Sequence, residues 1–175
     1  MNTVSLVVGN LCSLVAMVTD SVSSTRKTAK GVLLVQNLSQ LAYCVGSVIL
    51  KGYSGAVQNA VSILRNFVAI RNVKSKAVEW FMVLLGVVLG IWFNNLGLVG
   101  YLPIVANLEY TLAIFHFKDN ERALKIAFLV SVALFGTFNA FIYNFVGVGT
   151  NAIVLVTGII SLVRQRKARS GEPEA

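Results

Sequence analysis

Cysteine, histidine, proline and acidic side chains are all scarce in this chain. It has two cysteines, one histidine and two prolines, and only seven acidic residues against fifteen lysines and arginines. Cys12 and Cys44 lack CxxC or metal-ligand spacing, and the single histidine, His116, lies beside Lys118 at the end of an apolar run. These absences exclude the usual metal sites, and no HExxH, GxSxG or DxD-like set occurs. We therefore predict that the protein is not an enzyme and has no metal site and no cofactor.

Charge of either sign is also sparse, since 13% of the residues are charged and 56% are hydrophobic. Soluble domains have about a quarter charged residues, and they could not hide apolar runs such as 80–93 and 126–143. The net charge of +8 could indicate nucleic acid, but the basic residues form short clusters between apolar runs. No aromatic-interleaved basic face or known binding motif accompanies them. The sequence predicts an integral membrane protein in contact with lipid, and no nucleic-acid partner.

Seven apolar stretches alternate with polar clusters along the chain. Each is close to the length of about 17 to 25 residues that a spanning helix needs, and the alternation typical of a membrane β-barrel is absent. Helices are the expected form because irregular backbone cannot face lipid. The predicted spans are 3–22, 31–50, 55–70, 77–93, 98–117, 123–143 and 146–163.

The basic clusters predict the orientation of the chain. With the amino terminus outside, the first, third and fifth loops carry three Lys or Arg each and the carboxyl-terminal segment carries four, so thirteen of fifteen face the cytoplasm. Lys51 alone remains outside, and Arg65 lies within a span. This is the distribution of the positive-inside rule. We expect a multi-pass protein of a cytoplasmic membrane with its carboxyl terminus in the cytoplasm.

A shift of 92 residues superimposes the first three spans on the last three without a gap. Such a parallel repeat makes two three-helix units of the same orientation, separated by a lone helix. The predicted fold class is an all-α membrane protein with seven transmembrane helices, arranged as two parallel three-helix bundles joined by a linker helix (3+1+3). Its parts are 1–72, the linker 73–96, 97–164 and a cytoplasmic tail 165–175. The shift places Gly55, Asn59, Ala60 and Tyr43 on Gly147, Asn151, Ala152 and Phe135.

The fourth span carries two features of its own. Trp80 and Trp92 stand near its opposite ends, where interfacial anchors are expected. Gly86 and Gly90 form a GxxxG motif, which lets another helix approach closely. The motif predicts close packing at this face and makes it a candidate surface for a homo-oligomer.

Polar residues inside the spans predict an interior lined with hydrogen-bonding groups, because an unpaired polar group in hydrocarbon costs several kcal/mol. In span three they recur on one side of the helix; spans one and two add further polar residues, including Asp20 and Gln40. Either a polar cavity or hydrogen bonding between helices would explain them. We also expect Arg65 to form a buried ion pair with Glu109, with Asn66, Asn107, backbone carbonyls or headgroups as alternatives for the arginine. The span-three set is Gln58, Asn59, Ser62, Arg65 and Asn66.

The segment 52–71, GYSGAVQNAVSILRNFVAIR, together with the 3+1+3 plan, resembles the bacterial inner-membrane YgjV family. That family is similar in turn to the MtN3/SWEET and PQ-loop proteins, which build carriers of sugars and other small solutes from two three-helix bundles. In SWEET-type carriers paired asparagines of the third and last helices contact the solute, and Asn59 and Asn151 match those positions. The chain departs from the pattern in having no Pro-Gln pair and only Pro103 among the hinge prolines.

The resemblance implies a small-solute transporter in the bacterial inner membrane, with a small polar solute and membrane lipid as partners. A non-transporting ligand receptor and an assembly or structural protein on the same bundle are the alternatives, since a fold does not settle a function. A retinal protein is not expected because the last span contains no lysine. The predicted substrate-binding residues are Asn59, Asn151, Gln58, Ser62, Arg65 and Glu109.

Overall fold

The structure is a computed structural model that describes residues 2–24, 29–71, 73, 75–117 and 120–170. Within these ranges the chain forms seven α-helices and a short 3-10 helix at Gly97–Tyr101, and no strand, so the all-helical prediction is confirmed. Arg26, Lys27, Lys74, Lys118 and the tail residues 171–175 lie outside the described residues. The helices are α1 (Thr3–Ser24), α2 (Ala29–Ile49), α3 (Tyr53–Ile70), α4 (Lys76–Trp92), α5 (Leu102–His116), α6 (Glu121–Phe141) and α7 (Phe145–Ser170).

Polar and apolar side chains are distributed in the reverse of a soluble protein. Ser39, Gln58 and Asn144 are buried, whereas Leu84 and Ile153 are exposed. This pattern suits lipid as the surrounding medium, because lipid tails solvate apolar side chains and leave polar ones to pair inside. By length and composition, three of the described helices can cross a membrane, over Thr3–Asp20, Arg122–Phe141 and Phe145–Arg164. Helices α4 and α5 are shorter, at 17 and 15 residues. Helix α3 carries the polar residues Gln58, Asn59, Ser62, Arg65 and Asn66.

Six of the helices pack in chain order around a central space. The most extensive contacts join α1 to α2, α2 to α3, α5 to α6 and α6 to α7, and contacts of α1 with α7 and of α3 with α5 close the circle. Helix α4 packs against α3 and α5. It therefore lies outside this ring of six.

Several helix boundaries recur at the offset of 92 residues that the sequence comparison of the two halves uses. Helix α2 begins at residue 29 and ends at 49, and α6 begins at 121 and ends at 141; α3 begins at 53 and α7 at 145. Each bound of the later helix is 92 higher. The turns also correspond, since Lys51 (φ 60°) and Tyr143 (φ 59°) are the two non-glycine residues with positive φ among the described residues. Such a conformation is uncommon outside glycine, so its presence at both positions marks equivalent turns.

Each of these turns is held by an asparagine from the other half of the chain. The Asn10 amide nitrogen donates to the carbonyl oxygen of Tyr143 (3.0 Å), and its oxygen accepts from the Val146 N–H (3.0 Å). Asn95 does the same at the first turn, donating to the Lys51 carbonyl (2.7 Å) and accepting from the N–H two residues later (3.3 Å). We call Asn10 and Asn95 the asparagine clamps. They satisfy backbone groups that helix ends leave unpaired.

An apolar cluster fills the bundle beside the clamps. Its buried members are Leu50, Phe138 and Ile142, and four partly buried residues pack against them. The Phe138 ring lies so close to Gly55 that a Cβ at this glycine would overlap it. We call this end of the bundle, where α1, α3, α5 and α7 begin, the closed end. The four additional residues are Leu6, Leu96, Val99 and Leu102.

Candidate functional site

A cavity of about 210 Å³ lies inside the ring of six helices. Eighteen side chains line it, all from the ring helices and none from α4, and thirteen of them carry a hydroxyl, an amide or a charge. Phe138 also contributes to the wall, so the apolar cluster of the closed end forms part of the cavity boundary. At about 30 Å³ per molecule in the liquid, the space corresponds to roughly seven waters. It can hold a small molecule.

The two halves of the chain contribute equivalent positions to this wall. Of the six lining residues of α2 and α3, five have a counterpart 92 positions later that also lines the cavity. The pairs combine an amide with an amide at Asn59 and Asn151, and an aromatic ring with an aromatic ring at Tyr43 and Phe135. The five residues are Gln40, Tyr43, Ser47, Asn59 and Ser62, and their counterparts are Val132, Phe135, Asn139, Asn151 and Val154.

Four of the six predicted substrate-binding residues meet in this cavity. Asn59, Ser62, Arg65 and Asn151 line it. Asn59 and Ser62 are buried in its wall, which places their polar groups where only an occupant or a neighbouring helix can reach them. The remaining two, Gln58 and Glu109, lie elsewhere.

Gln58 joins three helices on the side of α3 that faces α4. Its amide nitrogen donates to the Gly86 carbonyl (2.8 Å), and its oxygen accepts from the Asn107 amide (2.7 Å). A Cβ at Gly90 would lie 2.5 Å from the same amide nitrogen and 2.7 Å from Ile104. The close packing predicted for the GxxxG face is thus made inside the chain. Association of two copies through these glycines would have to displace these contacts.

Arg65 pairs with neutral groups, and the predicted ion pair with Glu109 is wrong. Its Nη1 donates to Asn107 Oδ1 (3.0 Å) and Thr111 Oγ1 (3.2 Å), and the guanidinium lies 5.6 Å from the centre of the Tyr110 ring. Residues 107, 110 and 111 share one face of α5, whereas residue 109 points about 200° away from residue 107 at 3.6 residues per turn. Glu109 Oε2 is buried with no hydrogen-bond partner. Asn107, one of the expected alternatives, is the partner observed.

Both explanations for the polar residues inside the spans apply, each to different residues. Asp20 lines the cavity and accepts a hydrogen bond from Ser39. Asn66 instead donates to Asn37 (3.0 Å) between α3 and α2, away from the cavity. The clamp residue Asn10 likewise bonds between helices. Some of these polar residues therefore line the cavity, and others form hydrogen bonds between helices.

Most of the cavity residues in the second half were not predicted. The repeat held the signal for some of them, because a shift of 92 moves Ser47 onto Asn139 and Ser39 onto Ser131, and both of these line the cavity. Others have no such signal, since the equivalents of Asn107 and Tyr110 in α1 do not line the cavity.

Groups that could hold a metal are absent from the part of the chain that the structure describes. No three His, Cys, Asp or Glu residues cluster there. Both Cys12 and Cys44 are free and half-buried. His116 lies at the end of α5, with Nδ1 3.9 Å from Glu79 Oε1 on α4.

No curated protein and no solved structure matches the chain, so the likeness to MtN3/SWEET and PQ-loop proteins remains a prediction. One family model does match, under the description Imp-YgjV, bacterial inner membrane protein, and it covers residues 7–169. That range includes all the cavity residues and both asparagine clamps. The chain therefore belongs to the Imp-YgjV family of bacterial inner membrane proteins.

Proposed function

We propose that the protein is a small-solute transporter with SWEET-like architecture, in which seven membrane-spanning helices form two parallel three-helix units. The units are residues 1–72 and 97–164, joined by the linker helix within 73–96. Three features support this arrangement: the 92-residue offset of the helix boundaries, the two equivalent left-handed turns, and the equivalent cavity positions of the two halves. The position of α4 outside the ring suits a connector.

The proposed orientation has the amino terminus and the closed end outside, with the segment 165–175 in the cytoplasm. It follows from the clustering of Lys and Arg in alternate loops. Its test is labelling of intact cells with an impermeant thiol reagent. A Leu98→Cys variant, whose side chain is 87% exposed at the closed end, should react, and Ser75→Cys should not. Reaction of Ser75→Cys alone would show that the orientation is the opposite of the one proposed.

The polar cavity within a bundle of lipid-embedded helices carries the functional proposal. Burying a polar side chain inside a membrane costs free energy, and such residues often mark the pathway of a solute. Amides both donate and accept hydrogen bonds, so the pair Asn59 and Asn151 can contact a polar solute from opposite units. A receptor that binds the same solute without moving it, or an assembly protein, is the alternative.

Release of the solute at the closed end would require two barriers to open. The apolar cluster around Phe138 must separate, and the asparagine clamps must detach from the turns that they hold. The apolar cluster and the Asn10 clamp join the two proposed units, and the Asn95 clamp joins the first unit to the segment 73–96. A relative movement of the units would therefore separate the cluster and detach Asn10 together, and expose the cavity to the other side of the membrane.

Purified protein in liposomes, screened for uptake of sugars, amino acids and vitamins, tests the proposal. We expect at least one polar solute to accumulate, with uptake lost in Asn59→Ala and Asn151→Ala. Asn66→Ala is the matched control, because it removes a buried amide of α3 that does not line the cavity, and it should keep uptake. Uptake of no solute would contradict the transporter. If a compound then raised thermal stability without entering the vesicles, the receptor would be the better explanation.

A further inference from the structure

The cavity wall has two charged side chains among its eighteen, Asp20 on α1 and Arg65 on α3. Both come from the first half. Their equivalents 92 residues later are Leu112 and Thr157, and neither lines the cavity. The halves thus share amides and aromatic rings and differ in charge, so the charges are an addition to the common pattern of the repeat.

These two charges do not neutralise each other. Asp20 and Arg65 form no ion pair in the described part of the chain. Asp20 accepts a hydrogen bond from the Ser39 hydroxyl, and Arg65 donates through Nη1 to the side chains of Asn107 and Thr111. Every one of these partners is neutral. A carboxylate and a guanidinium therefore face one cavity inside the membrane without a counter-charge from the residues that the structure describes.

The unused groups are of the kind that bind a charged solute. Neither Nε nor Nη2 of Arg65 has a hydrogen-bond partner among the described residues, and a guanidinium fork binds a carboxylate through two parallel hydrogen bonds. The Oε1 of Gln40, another wall residue, is buried and also has no partner. Charges in low-dielectric surroundings favour an occupant that supplies the opposite charge.

We propose that the solute is a small zwitterion, with its carboxylate bound by Arg65 and its ammonium group bound by Asp20. The two wall charges sum to zero, as do those of the solute, so the loaded site is neutral. The amides of Asn59 and Asn151 are left for the uncharged part of the solute. This inference rests on the proposed function, since it names the class of solute that the same cavity takes.

Four probes of similar size separate the contributions of the two charges: serine, glycerate, serinol and glycerol. They carry both charges, the carboxylate alone, the ammonium alone, and neither. Binding to the purified full-length protein is measured by calorimetry, and counterflow is measured in liposomes. Serine should bind most tightly. Each charge-assisted contact that a probe lacks should weaken binding by about tenfold or more.

Two variants test which residue binds which charged group of the solute. Arg65→Gln should make serine no better than serinol, and Asp20→Asn should make serine no better than glycerate. Arg65→Lys, which keeps the charge, should keep the order of the four probes and thereby exclude a general loss of fold. If glycerol, glycerate or serinol binds as tightly as serine to the wild-type protein, the zwitterion proposal is wrong while the transporter stands. If none of the four binds and no solute of the wider screen enters liposomes, both proposals fail.

Discussion

Replacing Asn10 by alanine should loosen the contact between the beginning and the end of the chain. The side chain makes two hydrogen bonds to the α6–α7 turn, each of 3.0 Å, with the carbonyl of Tyr143 and the N–H of Val146. Asn10→Ala removes both and introduces no new polar group. The helix α1 itself should persist, because alanine favours helix more than asparagine does.

The expected loss follows from the strength of hydrogen bonds in membrane proteins, about 0.6 kcal/mol on average and about 1.7 kcal/mol at most. Two bonds give about 1.2 kcal/mol, with an upper bound of about 3.4 kcal/mol. The lower value is expected because the turn lies at a helix end, where water can replace the amide. For a chain of this size, 1.2 kcal/mol lowers Tm by about 2 to 5 °C.

Thermal unfolding of the purified protein in one detergent measures this shift. Asn95→Ala removes the equivalent pair of bonds at the first turn and should cost a similar amount. Leu11→Ala is the control, since its side chain is 52% exposed on the lipid side of the same helix, and its Tm should stay near that of the wild type. Wild-type stability of both asparagine variants, or an equal shift in Leu11→Ala, would refute the role of the clamps.

Two other substitutions test the packing and the corrected ion pair. Gly55→Ala should cost about 1 to 3 kcal/mol by overpacking against the Phe138 ring, whereas Gly149→Ala, with no atom within 4 Å of the added Cβ, should be neutral or stabilising in the same unfolding assay. Arg65→Ala should lower stability, because it removes the hydrogen bonds to Asn107 and Thr111, whereas Glu109→Ala should not, because it removes a buried oxygen that has no partner. The two effects should add within about 0.5 kcal/mol in the double variant, and a strongly non-additive recovery there would favour the ion pair again.

Hydropathy predicted the all-helical fold, because length and apolarity decide which segments can lie in lipid. Which side of a helix faces the cavity was harder to predict. Gln58 and Asn59 are neighbours about 100° apart on α3, and only the packed structure assigns one to α4 and the other to the cavity. The predicted ion pair of Glu109 with Arg65 was wrong for the same reason. The two residues lie at similar distances along their spans, but Glu109 points away from Arg65 around α5. Sequence spacing gives depth, whereas direction depends on how each helix is rotated against its neighbours.

The asparagine clamps also imply an order of events during biosynthesis. Asn95 bonds to a turn 44 residues earlier in the chain. This clamp can therefore close as soon as the loop that follows α4 has left the ribosome. Asn10 must wait for a turn 133 residues later, roughly 7 to 27 s at usual rates of translation. Meanwhile its amide has a partner at hand, because its nitrogen also donates to the Leu6 carbonyl of its own helix (2.9 Å). The first helix can thus enter the bilayer with this donor satisfied and join the last helix when synthesis is nearly complete.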